Sequence, residues 1–214
     1  MGWRNEQKKP EYLKYSEHIA SQVAVETRDT EQAHLCLAIP GLSIFHPKRF
    51  VLDLLNVILG EGMSSRLFSE IRDKMGLAYS ISSYVEHFLD TGSLTVSASV
   101  EPKNLHKAVT AILEQLSKLT EIPEAELTKA KEISKGRLLL RMEDSRNVAG
   151  WLGGQELMLD KIMTLDDVVA IVDSINTQEM QKLAAEMLDH AKLRLAVVGP
   201  VKDKESLKEL LRLK

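Results

Sequence analysis

A single cysteine, Cys36, stands in 214 residues, so no internal disulfide is possible and a disulfide-stapled scaffold is excluded. Aromatic residues are scarce, 5% of the chain, and apolar residues make up 44%, an ordinary share for a folded globular protein. No apolar run reaches the ~18 residues that a membrane-crossing helix needs. Residues 1–15 are polar and lack the apolar core of a secretory signal, and Glu6 stands where a myristoylation signal wants Ser or Thr. A soluble, cytoplasmic protein without an anchor is therefore the expectation. Charge of one sign is also missing: 28 basic against 31 acidic residues leave −3, without the basic excess of a nucleic-acid binder.

Paired histidines are absent too. The six, His18, His34, His46, His87, His106 and His190, are never closer than twelve residues. A helical zinc-peptidase motif needs two imidazoles four residues apart on one helix face, and neither H-E-x-x-H nor H-x-x-E-H occurs. No metal ligand set is assigned within this chain.

The patterns that are present describe an α+β domain. Residues 1–15 read as a linker or extended arm, and 16–214 as one domain. Val23 and Val25, then Leu35, Leu37 and Ile39, alternate as strands do, and their closeness in sequence predicts two neighbouring strands. A helix is expected from about Pro47 to Leu59, and a second from Ser64 to about Met75, with a serine hydroxyl as N-cap. Gly76 suits the left-handed turn that ends such a helix. Residues 77–88 and 92–100 predict a hairpin, its second strand alternating Leu94, Val96, Ala98 and Val100 with Ser and Thr. Helices follow over roughly 105–116, 123–141, 144–160, 165–174 and 177–188, then a strand over 193–198 and a short terminal helix. Helices packed on one face of a mostly antiparallel sheet is the architecture this order implies.

Most candidate motifs have plain explanations. Gly60-Glu61-Gly62 follows a helix and lacks a third glycine, so it reads as a turn and not as a dinucleotide cradle. Gly150, Gly153 and Gly154 are expected to let another helix backbone approach closely. Cys36 is expected to be a buried small side chain, and His87 a strand-end residue in a loose polar cluster with Glu86 and Asp90.

The informative segment runs from Ser64 to Ser80. Arg72 lies one helical turn before Gly76, about 6 Å along the axis. Tyr79 lies three residues past that corner, about 10 Å along a strand. A guanidinium and a phenol are both hydrogen-bond donors, suited to a carbonyl oxygen that gains negative charge. Spacing alone leaves the plain alternative open, with Arg72 a solvated helix residue and Tyr79 a half-buried strand residue.

G-x-G-M-S-S-R-L-F, I-R-x-x-x-G-L-A-Y-S and the D-T-G turn resemble the C-terminal half of pitrilysin/insulinase-type (inverzincin) zinc peptidases. The likeness is greatest to the bacterial and mitochondrial-processing-peptidase branch, and it extends from Thr30-Glu31-Gln32-Ala33-His34 to Leu195–Pro200. The resemblance implies one of two related α+β halves that enclose a chamber. It implies that Arg72 and Tyr79 bind the substrate carbonyl and that Phe68 lines a substrate side-chain pocket. It also implies that zinc and the general base reside in a missing N-terminal half or partner subunit, so that this chain alone is inactive on its peptide substrate. A non-catalytic assembly subunit of the same fold and a small-molecule binding module remain as alternatives.

Overall fold

A computed structural model describes residues 13–16, 22–159 and 161–211. The arm expected over residues 1–15 lies mostly outside these; Leu13–Ser16 form no regular element.

Among the described residues five strands, β1 (Val23–Thr27), β2 (Ala33–Pro40), β3 (Ala78–His87), β4 (Gly92–Val100) and β5 (Arg194–Gly199), form one sheet in the order β1-β5-β2-β4-β3. Three of the four pairings are antiparallel, and β1–β5 is parallel. This corrects one expectation. β1 and β2 are not neighbours, because β5 returns from the end of the chain and inserts between them, with Val25 opposite Val197 and Leu35 opposite Val197 on the other side. Sequence closeness favours adjacent pairing, but a long-range strand can displace it.

Among the described residues seven α-helices accompany the sheet: α1 (Arg49–Gly60), α2 (Leu105–Ser117), α3 (Glu124–Arg141), α4 (Ser145–Met158), α5 (Leu165–Ser174), α6 (Thr177–Met187) and α7 (Lys204–Leu210). The core lies between them and one sheet face, built from Leu35, Leu37, Leu94, Val96, Ile81, Leu195 and Val197 against the apolar stripes of α1 and α2. Reciprocal capping boxes, Thr164 with Asp167 and Asn176 with Glu179, start α5 and α6.

The opposite sheet face is open to solvent along its edges and rich in small polar residues. Cys36 stands exposed there, its Sγ 3.9 Å from Ser97 Oγ, and not buried as expected. Strand alternation aims it away from Leu35 and Leu37, and with helices on one side only, that direction is outside the core.

Gly60 packs the end of α1 onto β3: a Cβ there would fall 2.5 Å from the backbone N of Ser83. Gly62, with φ +100, makes the turn that follows. The expectation for Gly150, Gly153 and Gly154 is overturned. Among the described residues a Cβ at any of them would meet nothing within 4 Å, so no described helix packs against them. The helix α4 buries only Gln155, whose amide clasps the backbone of Met163 through both its oxygen and its nitrogen.

Candidate functional site

Between Gly62 and β3 the chain forms a short helix whose main part, Phe68–Lys74, is π-helical. Met75 N–H reaches Glu70 O, five residues back, at 3.0 Å. The expected serine N-cap is absent. The Ser65 hydroxyl instead donates to Gly62 O at 2.7 Å, which leaves it bracing the turn. Leu67 and Ile71 are fully buried and hold this helix to the core.

Arg66 ties the segment to the start of α3. Its Nε lies 3.1 Å from one Glu126 carboxylate oxygen, and its terminal nitrogens donate to Lys118 O at 2.7 Å and Glu121 O at 2.8 Å. Gly76, at φ +61, turns the chain, and Leu77 N–H closes the corner on Ile71 O at 3.0 Å.

The three residues singled out from sequence lie along this segment. Phe68 is half-buried and Arg72 exposed; the Arg72 Cζ sits 4.8 Å from the Phe68 ring centroid, so these two are in contact. Among the described residues no carboxylate pairs with Arg72, whereas the neighbouring cations Arg66 and Lys74 are bound to Glu126 and Glu70.

Tyr79 is not an ordinary strand residue. Ala78 pairs with Val100 and Ser80 with Ser99, so Tyr79 is the extra residue of a β-bulge. A bulge re-aims a side chain that regular alternation would place elsewhere. Tyr79 is 54% exposed, and its hydroxyl has no hydrogen-bond partner among the described residues. No hydrogen bond joins it to Arg72. Beside it runs Lys103, bonded to Glu101 at 2.7 Å; that bond and the charge of Glu101, with a smaller contribution from Tyr79, raise the Lys103 pKa.

A second polar cluster gathers around His87, with partners other than those expected. His87 Nδ1 lies 2.6 Å from Leu42 O, and its Nε2 lies 3.1 Å from Asp53 Oδ1. The partners expected for it, Glu86 and Asp90, are not the ones it bonds. Burial alone would lower the His87 pKa, but the hydrogen bonds to Asp53 and Leu42 and the Asp53 charge together raise it. Arg49 stands nearby, its pKa lowered by burial and partly restored by Asp53. These groups border a cavity of about 880 Å³ between α1, β3, α3, α4 and α5, whose apolar wall includes Phe50, Trp151 and Val172. The i, i+4 relation of Arg49 and Asp53 on α1 was the available signal; their tie to His87 across the fold was not.

Neither cluster fits a zinc centre. His87 and Asp53 are engaged with each other, the second His87 nitrogen is engaged with a carbonyl, and no third ligand joins them among the described residues. No group of three or more metal-ligating side chains occurs among the described residues.

Comparison with known proteins places these features in context. Residues 2–134 match the family described as the peptidase M16 inactive domain. The chain is 37% identical over 177 residues to an uncharacterized zinc protease of Bacillus subtilis, covering 81% of this chain and 42% of that protein. It is 35% identical over 189 residues to another from Streptomyces coelicolor, covering 87% and 41%. It thus spans about two-fifths of the length of these relatives. Among solved structures, a protease from Helicobacter pylori superposes with TM-score 0.79 at 27% identity, over 91% of this chain and 48% of that one. A peptidase M16 inactive domain from Pseudomonas fluorescens superposes with TM-score 0.75 at 20% identity, over 86% and 44%, a likeness of fold.

Proposed function

The chain belongs to the peptidase M16 inactive domain family, and from that premise we propose that it is the substrate-binding, zinc-free half of a zinc metalloendopeptidase acting on peptides. In this reading residues 16–214 act as one domain. The metal and the water it activates belong to the other half, on a separate subunit or a further stretch of chain. The relatives named zinc proteases are more than twice the length matched here, which supports such a second half.

This chain contributes donors. Arg72 and Tyr79 hydrogen-bond the carbonyl oxygen of the scissile peptide as negative charge builds on it. Arg72 carries a permanent charge and in-plane N–H groups, while Tyr79 supplies one O–H. Phe68 lies against the Arg72 guanidinium at the edge of the surface that meets the peptide.

The observation that carries the reading is that both polar ends are free. The guanidinium has no carboxylate partner among the described residues and the phenol no hydrogen bond, although the cations flanking Arg72 are paired. Donors held open in this way are what electrostatic stabilisation of a developing oxyanion requires.

The test is peptide hydrolysis by this chain combined with its zinc-bearing half. The isolated chain is expected to be inactive. Arg72→Ala and Tyr79→Phe are each expected to lower turnover by about 10²-fold, the usual effect of losing one such donor, with bound zinc unchanged. Full turnover in both variants would remove these residues from the mechanism.

A further inference from the structure

The contact between Phe68 and Arg72 has a chemical consequence for how the arginine works. An exposed arginine on a helix samples many rotamers, and a donor that samples many positions stabilises a transition state poorly. The commonest restraint on a guanidinium is a carboxylate, as Glu126 provides for Arg66. That restraint occupies two donors and offsets the charge. A ring face restrains the guanidinium differently. It holds the planar group flat by cation–π attraction and leaves the N–H groups at the rim free to donate.

Resting on the reading of Arg72 given above, we propose that Phe68 is a positioning residue: its ring sets the plane of the Arg72 guanidinium so that its N–H groups face the substrate carbonyl. Four features support this over a role as a pocket wall. The Cζ-to-centroid distance of 4.8 Å lies inside the ~6 Å range of the interaction. One ring face is covered by the guanidinium and so cannot receive a peptide side chain. Phe68 itself is anchored, half-buried and next to the fully buried Leu67.

The fourth feature is the helix type. The hydrogen bond from Met75 N–H to Glu70 O spans five residues, so each turn holds more residues than an α-helical turn and the rise per residue is smaller. Phe68 and Arg72, four apart, are drawn closer along the axis than α-helical geometry would place them. The other arginine over a ring shows the contrast. Arg49, 4.5 Å from the Phe50 centroid, is also held by Ile44 O and by Met163 Sδ at 3.2 Å. For Arg72 the ring is the one restraint on the guanidinium among the described residues.

Two measurements test the proposal. In the chain by itself, NMR of the Arg72 side chain should show δ-methylene protons displaced upfield by the ring current. That displacement should persist in Phe68→Tyr and vanish in Phe68→Leu, with circular dichroism showing both variants folded. In the assembly with the zinc-bearing half, Phe68→Leu should lower kcat about threefold to fivefold with KM changed by less than about twofold, and Phe68→Tyr should restore kcat. In an Arg72→Ala background, Phe68→Leu should have no further effect on kcat. A Phe68→Leu loss of equal size in that background, or a shift in KM or in peptide side-chain preference with kcat intact, would make Phe68 a pocket wall and overturn the proposal. If Arg72→Ala itself left turnover unchanged, the oxyanion role of Arg72 would fall, and the positioning role with it.

Discussion

Replacing Arg66 by alanine tests how the candidate site is held to the rest of the fold. Arg66 is the first residue of the short helix that carries Phe68 and Arg72, and its guanidinium joins that helix to the loop and first turn of α3. The side chain is only 13% exposed, while Glu126 is 37% exposed. Truncation removes one donor from the Lys118 carbonyl, which keeps the Glu121 N–H, and the guanidinium donor from the Glu121 carbonyl, but both contacts lie near the surface, where water can replace it. The larger losses are the charge-assisted fork to Glu126 and the burial of the arginine stem.

A hydrogen bond to a charged group contributes about 1.5–3 kcal/mol when largely shielded, and Glu126 recovers part of its hydration. A net destabilisation of about 2–3 kcal/mol is expected, equivalent to a fall in Tm of about 5–10 °C for a chain of this size. Arg66→Lys should recover less than half of it, since a lysine cannot form the fork. Urea titration followed by circular dichroism measures the effect, with an unchanged m-value confirming that the unfolded reference is the same. A loss below about 0.5 kcal/mol, the level of an ordinary surface ion pair, would refute the argument that this clamp anchors the site.

Two other predictions follow from single residues. His87 has its pKa raised in the fold, so its contribution to stability is fully present below the unfolded value near 6.5 and is lost as pH rises through the folded value. The stability gap between the native chain and His87→Gln should therefore be wider at about pH 5.5 than at about pH 8.5, and an equal gap would remove the Asp53 ion pair as its source. Gly153→Ala should raise stability by about 0.8–1 kcal/mol, because it lies inside α4 and its Cβ would meet nothing within 4 Å. A lower Tm in that variant would show that the open face of α4 is not open in solution.

Local rules carried most of the fold. The alternation of Leu94, Val96, Ala98 and Val100 with hydroxyl residues placed β4 at Gly92–Val100, and the 3-4 spacing of apolar residues placed α2 within a residue of its observed end. What failed was long-range. The insertion of β5 between β1 and β2 depends on a strand more than 150 residues away from either, and no periodicity within a window records a partner so distant. The glycines of α4 failed for a related reason: the sequence shows that a Cβ is missing but not what stands opposite, and here the space is empty.

The site was legible to a different depth. Spacing put Arg72 and Tyr79 on either side of a glycine corner, and the resemblance to the peptidase family is what singled them out; the helix, the corner and the strand are all present. Two backbone irregularities were invisible: the π-turn across Phe68–Lys74 and the bulge at Tyr79. Each adds one residue to a regular pattern, which side-chain periodicity does not register because the flanking apolar residues, Leu67 and Ile71 on one side and Ile81 on the other, still reach the core. Both irregularities act on the exposed side chains. The π-turn draws Phe68 and Arg72 together, and the bulge turns out Tyr79 next to Ser80, so both ends of the Gly76 corner depart from regular geometry where the free donors stand.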